Sequence, residues 1–160
     1  MMKDGKAGSK ESRASSAEAP PLAMNRDSVA FISQSGTLGN YLMLLAEAKG
    51  YSFSGFVSSG NQAMLEVTDY LKYFGADEET RAIILYIEGI LDAHRFARVA
   101  KGVAQKKPIM VYKAGRFEVG VRAALSHTAS LAGNDKIFDA LCKQAGIIRC
   151  YDPLQWPTAI

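Results

Sequence analysis

The feature that most restricts what this chain can fold into is the spacing of its short apolar runs. Val29-Ala30-Phe31-Ile32, Gly55-Phe56-Val57, Ile83-Ile84-Leu85-Tyr86-Ile87, Ile109-Met110-Val111-Tyr112 and Gly146-Ile147-Ile148 are β-branched or aromatic and unbroken rather than alternating. That is the pattern of strands covered on both faces. Between them the period changes to that of helices. Leu38, Leu42 and Leu45 share one face, and Val67, Tyr70, Leu71 and Phe74 recur at i, i+3, i+4, i+7, as do Phe96, Val99, Ala100 and Val103; Ile137, Phe138 and Leu141 mark a fourth. Four of the five runs begin about one βα unit apart, which predicts an α/β fold: a doubly wound, three-layer parallel sheet of about five strands and flavodoxin-like size.

The last interval is longer. Only 134–145 reads as a crossover helix there, which leaves 114–133 as an enlarged loop with a short helical piece near 118–124, and long insertions in compact domains are often functional. Residues 1–26 differ from everything after them. They are Ser, Ala, Lys and Glu with Pro20-Pro21, and hold too little to bury to offset the entropy of ordering. We expect a disordered tail or linker remnant at 1–26 and one flavodoxin-like domain over 27–160.

Composition excludes several functions. Net charge is +3, and the first 26 residues hold five basic and three acidic groups, leaving 14 basic against 13 acidic. So balanced a body gives nucleic-acid binding no electrostatic support. No apolar run approaches the ~18 residues of a membrane span. Two cysteines, Cys142 and Cys150, make neither a disulfide framework nor a four-ligand zinc site, so no metal centre is expected and a cytoplasmic, reducing location is.

Ligands of open α/β sheets bind beyond the carboxyl ends of the strands. There the sequence offers Ser33-Gln34-Ser35-Gly36-Thr37, Ser58-Ser59-Gly60-Asn61-Gln62, Glu88-Gly89 and Lys113-Ala114-Gly115-Arg116. The first opens into the Leu38–Ala46 helix, whose unpaired N–H groups and dipole favour an anion such as phosphate, although serine before a helix is also an ordinary N-cap. Ser35 lacks the flanking glycines of a nucleophile elbow, and neither a P-loop nor G-x-G-x-x-G follows the first strand. Glu88 ends an apolar strand with a carboxylate that needs a partner or solvent. His127 lies in the enlarged loop; the other histidine, His94, starts a helix and reads as surface.

Ser33-Gln34-Ser35-Gly36, Tyr86-Ile87-Glu88-Gly89 and Ser126-His127-Thr128 through Leu131-Ala132-Gly133 resemble the NDP-forming acyl-CoA ligases. The similarity is to the second, flavodoxin-like domain of the α part, as in ADP-forming acetate–CoA ligases and succinyl-CoA synthetase, and covers roughly 27–152. It implies a phosphohistidine relay between acyl phosphate and ADP, with His127 as carrier and Glu88 as the glutamate that holds its imidazole. It also implies that Ser33, Gln34, Ser35, Gly36 and Thr37 cradle the phosphate, and that Gly60 and Asn61 border the acyl-phosphate and CoA pocket. CoA and ADP or ATP with Mg²⁺ enter as substrates, with no bound prosthetic group. The nucleotide site is implied on an ATP-grasp β part, and a CoA-binding domain is the other expected partner, so the chain alone should make no acyl-CoA. Within the matched segment the sequence departs from the family pattern at Ala129, where glycine is common, and at Met64-Leu65, where a polar loop is expected. The alternative is a non-catalytic regulatory module of the kind found in protein acetyltransferases; a phospho-receiver would need an acidic cluster where only Glu88 stands.

Overall fold

Five parallel strands, β1 (Ser28–Ser33), β2 (Phe53–Ser58), β3 (Thr80–Ile87), β4 (Ile109–Lys113) and β5 (Ile148–Cys150), form a single sheet in the order β2-β1-β3-β4-β5. Every neighbouring pair is parallel. Helices α1 (Gly36–Ala48), α2 (Val67–Ala76), α3 (Ala93–Ala104) and α4 (Asp135–Ala145) alternate with the strands. The computed structural model describes residues 28–48, 50, 53–114 and 135–152. The expected tail at 1–26 and most of the enlarged loop, with its helical piece and His127, lie outside the described residues.

The unbroken apolar runs are explained by two cores, one on each side of the sheet. Ala30 and Ile32, then Ile83, Leu85 and Ile87, then Ile109 and Val111 face α2, α3 and α4. The alternate residues Val29 and Phe31, Ile84 and Tyr86, and Met110 face the side carrying α1. Side chains of a strand alternate between faces, so a strand buried on both must be apolar at every position. Leu71 of α2 and Phe96 of α3 are fully buried in the first core; truncating a side chain so placed costs about 2–5 kcal/mol.

Two local features depart from the sequence reading. β2 is an edge strand, and Phe53–Val57 are only half-buried because a neighbour covers it on one side alone. The fifth strand starts at Ile148 rather than Gly146. The Ile147 N–H donates to the Cys142 carbonyl at 2.9 Å and the Gly146 N–H to the Lys143 carbonyl at 3.4 Å. With Gly146 at φ +74, that is the left-handed exit of α4, and it consumes the first two residues assigned to the strand.

Strand order also defines a switch point. β1 connects outward to β2, β3 connects the other way to β4, and β1 and β3 lie side by side. The crevice above their carboxyl ends is where this architecture holds ligands.

Candidate functional site

At the switch point the end of β1 turns directly into α1. Ser33 is fully buried; its hydroxyl donates to the Ser35 carbonyl at 2.7 Å and accepts from the Ser35 N–H at 3.2 Å. The Ser35 hydroxyl accepts from the Leu38 N–H at 3.4 Å, and its carbonyl accepts the Gly39 N–H at 2.9 Å, so Ser35 caps α1. The Ser33 hydroxyl is spent on shaping the loop, whereas the Ser35 hydroxyl serves there only as an acceptor and still has a proton to donate. The N–H groups of Gly36 and Thr37 stand in the first helical turn, where no intrahelical acceptor exists. Both residues are exposed, and the positive end of a 13-residue helix dipole lies behind them. The surface offered to an anion is therefore Gly36-Thr37 with the Ser35 and Thr37 hydroxyls, and Ser33 and Gln34 lie beneath it.

Gln34 is 5% exposed, and its carboxamide is turned to the neighbouring strand. Oε1 accepts the Glu88 N–H at 2.6 Å and the Gly89 N–H at 3.0 Å, while Nε2 donates to the Gly89 carbonyl at 2.8 Å. The Gln34 N–H also donates to the Tyr86 carbonyl at 3.1 Å. Glu88 itself follows β3 immediately and is half-buried. Below it the Tyr86 and Tyr112 rings stack with centroids 5.7 Å apart. Burial first, then the nearby Glu88 carboxylate and Tyr112, push the Tyr86 phenol up to about 12, so it stays neutral.

The loop after β2 abuts this arrangement. The Ser59 N–H donates to the Ser33 carbonyl at 2.8 Å, and a Cβ on Gly36 would sit 3.4 Å from Ser58 Oγ. Gly60 at φ +53 and Gln62 at φ 58 turn the chain; the buried Gln62 Oε1 accepts the Val67 N–H at 2.8 Å and anchors the turn to α2. Gly60 and Asn61 are exposed on its rim, followed by Met64 at 95% exposure. The structure thus gathers Ser33–Thr37, Gly60-Asn61 and Glu88 at one edge of the sheet, while His127 lies outside the described residues. His94 is exposed on α3, as its position in the sequence implies.

Two features escaped the sequence reading. Arg95 at the start of α3 bridges Glu66 and Asp69 at the start of α2, and these two acids form a capping box. Hydrogen bonding to Arg95, then to the Glu66 backbone, lowers the Asp69 carboxyl. The E-x-x-D spacing of Glu66 and Asp69 was the available signal. Lys113 ends β4 opposite Ile87, is 5% exposed, and has its ammonium 5.9 Å from the Phe138 ring centre and 3.5 Å from the Ala114 carbonyl. Burial lowers its pKa, against a smaller upward pull from Asp135. Among the described residues no group of three His, Cys, Asp or Glu could hold a metal ion, and no helix is long and apolar enough to cross a membrane.

Residues 26–159 match the family described as the succinyl-CoA ligase like flavodoxin domain. The chain belongs to that family. This flavodoxin-like ligase domain is 48% identical over 135 residues to the α subunit of acetate–CoA ligase [ADP-forming] I of Pyrococcus furiosus, covering 82% of the chain and 29% of that protein. It is 50% identical over 123 residues to the acetate–CoA ligase [ADP-forming] of Methanocaldococcus jannaschii, covering 77% of the chain and 17% of the relative. The fold matches the dinucleotide forming acetyl-coenzyme A synthetase 1 of Ca. Korarchaeum cryptofilum, solved with phosphate and ADP, at a TM-score of 0.76 and 43% identity over 83% of the chain and 30% of that structure. The domain therefore spans less than a third of the length of these relatives.

Proposed function

We propose that this domain carries the phosphohistidine of an ADP-forming acyl-CoA ligase, whose reaction converts acid, CoA and ATP into acyl-CoA, ADP and phosphate. The reading rests on one observation: in a chain of this family, Glu88 follows β3 at the switch point with its N–H bonded to Gln34, two residues before the open N-terminus of α1. His127 is the carrier. A ring nitrogen of His127 takes the terminal phosphoryl group of ATP, forming N–P as the P–O bond to ADP breaks. It then passes that group to the carboxylate substrate to give an acyl phosphate, and CoA thiolate displaces phosphate from the acyl carbon.

Glu88 accepts a hydrogen bond from the other ring nitrogen. That fixes the tautomer, leaves the attacking nitrogen unprotonated and stabilises the cationic phosphoimidazole. The Gly36 and Thr37 N–H groups receive the phosphate oxygens, since positioning and charge stabilisation carry most of phosphoryl transfer. Gly60 and Asn61 border the acyl-phosphate and CoA side. CoA-binding and ATP-grasp domains, the latter with Mg²⁺ and nucleotide, complete the enclosure. Reaction requires groups held together in one geometry, which this domain alone does not supply.

Two assays test the reading. The purified 160-residue chain, given acid, ATP and CoA, should form no acyl-CoA. Supplying a CoA-binding domain and an ATP-grasp partner should restore formation, and His127→Asn should abolish it. Full activity of the His127→Asn assembly would defeat the proposal, as would robust synthesis by the chain alone.

A further inference from the structure

We propose that Gln34 is the positioning residue for Glu88: its carboxamide sets the backbone of residues 88 and 89 and so aims the Glu88 carboxylate relative to the start of α1. The inference rests on the phosphohistidine reading for its consequence in the reaction, but its structural part stands on geometry alone. One oxygen, Gln34 Oε1, accepts two consecutive N–H groups at 2.6 and 3.0 Å, and the amide nitrogen on the same plane donates to the Gly89 carbonyl at 2.8 Å. Three bonds from a rigid planar group leave the peptide on either side of Gly89 little freedom to rotate. A fourth, from the Gln34 N–H to the Tyr86 carbonyl, holds the root of that side chain to the same strand.

The arrangement couples two parts of the site that are 54 residues apart in sequence. Gln34 immediately precedes Ser35, the cap of α1, and Glu88 is the residue it grips. The helix start that faces the phosphate and the carboxylate that faces the imidazole are thereby fixed to one another through a single side chain. Such fixing matters because misplacement by about 1 Å can cost 10²-fold in rate.

The group must also be an amide. Successive N–H groups converging on one point form a nest that attracts anions, and Gln34 fills it with a neutral oxygen. A glutamate there would keep both N–H contacts, but would set a second carboxylate oxygen against the Gly89 carbonyl and a negative charge beside Glu88. Like charge raises a carboxyl pKa. Gln34→Glu therefore perturbs the ionisation of Glu88, whereas Gln34→Met removes the grip.

The test has two arms. In the full chain, amide hydrogen exchange should show Glu88 and Gly89 protected in wild type and in Gln34→Glu, and fast-exchanging in Gln34→Met. In the complete ligase run in reverse, with acyl-CoA and phosphate as the source of acyl phosphate, Gln34→Met should slow phosphorylation of His127 on the order of 10- to 100-fold with the half-saturating phosphate concentration unchanged, and should cause no further loss when added to Glu88→Gln. Gln34→Glu, which serves if the methionine variant does not fold, should move the acid limb of the pH–rate profile to higher pH. Wild-type exchange rates at Glu88 and Gly89 in Gln34→Met would overturn the proposal. So would losses that multiply with those of Glu88→Gln, or a rise in half-saturating phosphate alone, which would make Gln34 a direct phosphate ligand. If the wild-type ligase carries no phosphate on His127, the phosphohistidine reading has failed; if it does and Gln34→Met matches it in rate, the positioning role has failed.

Discussion

Gly39 sits where α1 touches β1, and adding a single methyl there should measurably lift the helix. A Cβ at Gly39 would lie 2.9 Å from Phe56 Cζ, from Ser33 Cβ and from Ser33 Oγ. Carbon contacts are most favourable near 3.5–4.0 Å, so the neighbours or the helix must yield by roughly 0.6–1 Å. The half-buried Phe56 ring can swing. Ser33 cannot, because it is fully buried and its hydroxyl is bonded on both sides to the Ser35 backbone. Overpacking of this kind costs about 1–3 kcal/mol, and alanine returns about 1 kcal/mol through helix propensity. The net expectation for Gly39→Ala is a loss of about 1 kcal/mol. Gly102 in α3 is the control, since a Cβ there meets nothing within 4 Å. Gly102→Ala keeps only the propensity gain and should stabilise by up to about 1 kcal/mol. Urea titrations of the full chain followed by far-ultraviolet circular dichroism should thus separate the two variants by about 2 kcal/mol, with opposite signs about wild type; in heating, each 1 kcal/mol moves Tm by about 2–4 °C. If Gly39→Ala proved as stabilising as Gly102→Ala, α1 would not rest on Ser33 as described, and the geometry of its N-terminus would lose its foundation.

Three further outcomes follow from the charges. Glu88→Gln keeps the side-chain shape, so it should leave Tm within about 2 °C, a surface-scale change, while slowing His127 phosphorylation in the complete ligase; in the same variant the Tyr86 phenol should titrate at lower pH, and an unchanged alkaline tyrosinate titration would contradict the Glu88–Tyr86 proximity. Lys113→Met should stabilise the chain near pH 7. Burial lowers the folded-state pKa of Lys113, so wild-type stability rises with pH toward the ordinary lysine value of 10.5 and the variant's advantage should shrink over that rise; destabilisation would mean that the pull of Asp135 on the ammonium outweighs the cost of burial. Burial also pushes the Cys142 thiol from 9.0 up to about 11, so the unfolded chain ionises first and stability falls as pH climbs between those values. The loss should reach at most about 2–3 kcal/mol and vanish in Cys142→Ala, whose pH dependence, compared with wild type by urea titration at pH 8 and 11, is the check.

The strands were legible because a run such as Ile83–Ile87 has no polar position to spare, and its end at Glu88 marked the carboxyl edge without any knowledge of strand order. The order itself was not legible in the same way. Nothing in Gly55-Phe56-Val57 says that β2 stands at an edge and is covered on one side only. Gly146-Ile147-Ile148 has strand composition, yet its first two residues close α4, because a glycine after a helix is drawn into the left-handed exit before a strand can begin. At the site, the serines and glycine of Ser33–Thr37 were recognisable as a helix start. Which groups would face outward depended on contacts distant in sequence: Gln34 reaches Glu88 and Gly89, Ser59 reaches the Ser33 carbonyl, and Arg95 reaches Glu66 and Asp69. Local patterns encode caps and turns; cross-strand partners follow from topology and appear only once the sheet is assembled.

Whether His127 carries the phosphoryl group is decided by locating that group on the protein. The complete ligase containing this chain is incubated with ATP labelled in the terminal phosphate, then split for acid and alkali treatment and for peptide mapping by mass spectrometry. A phosphate on His127 that is lost in acid, survives alkali and is absent from His127→Asn is the predicted result. Acid-stable label on a serine of the Ser33–Thr37 loop, or no label on a ligase that turns over normally, would contradict it.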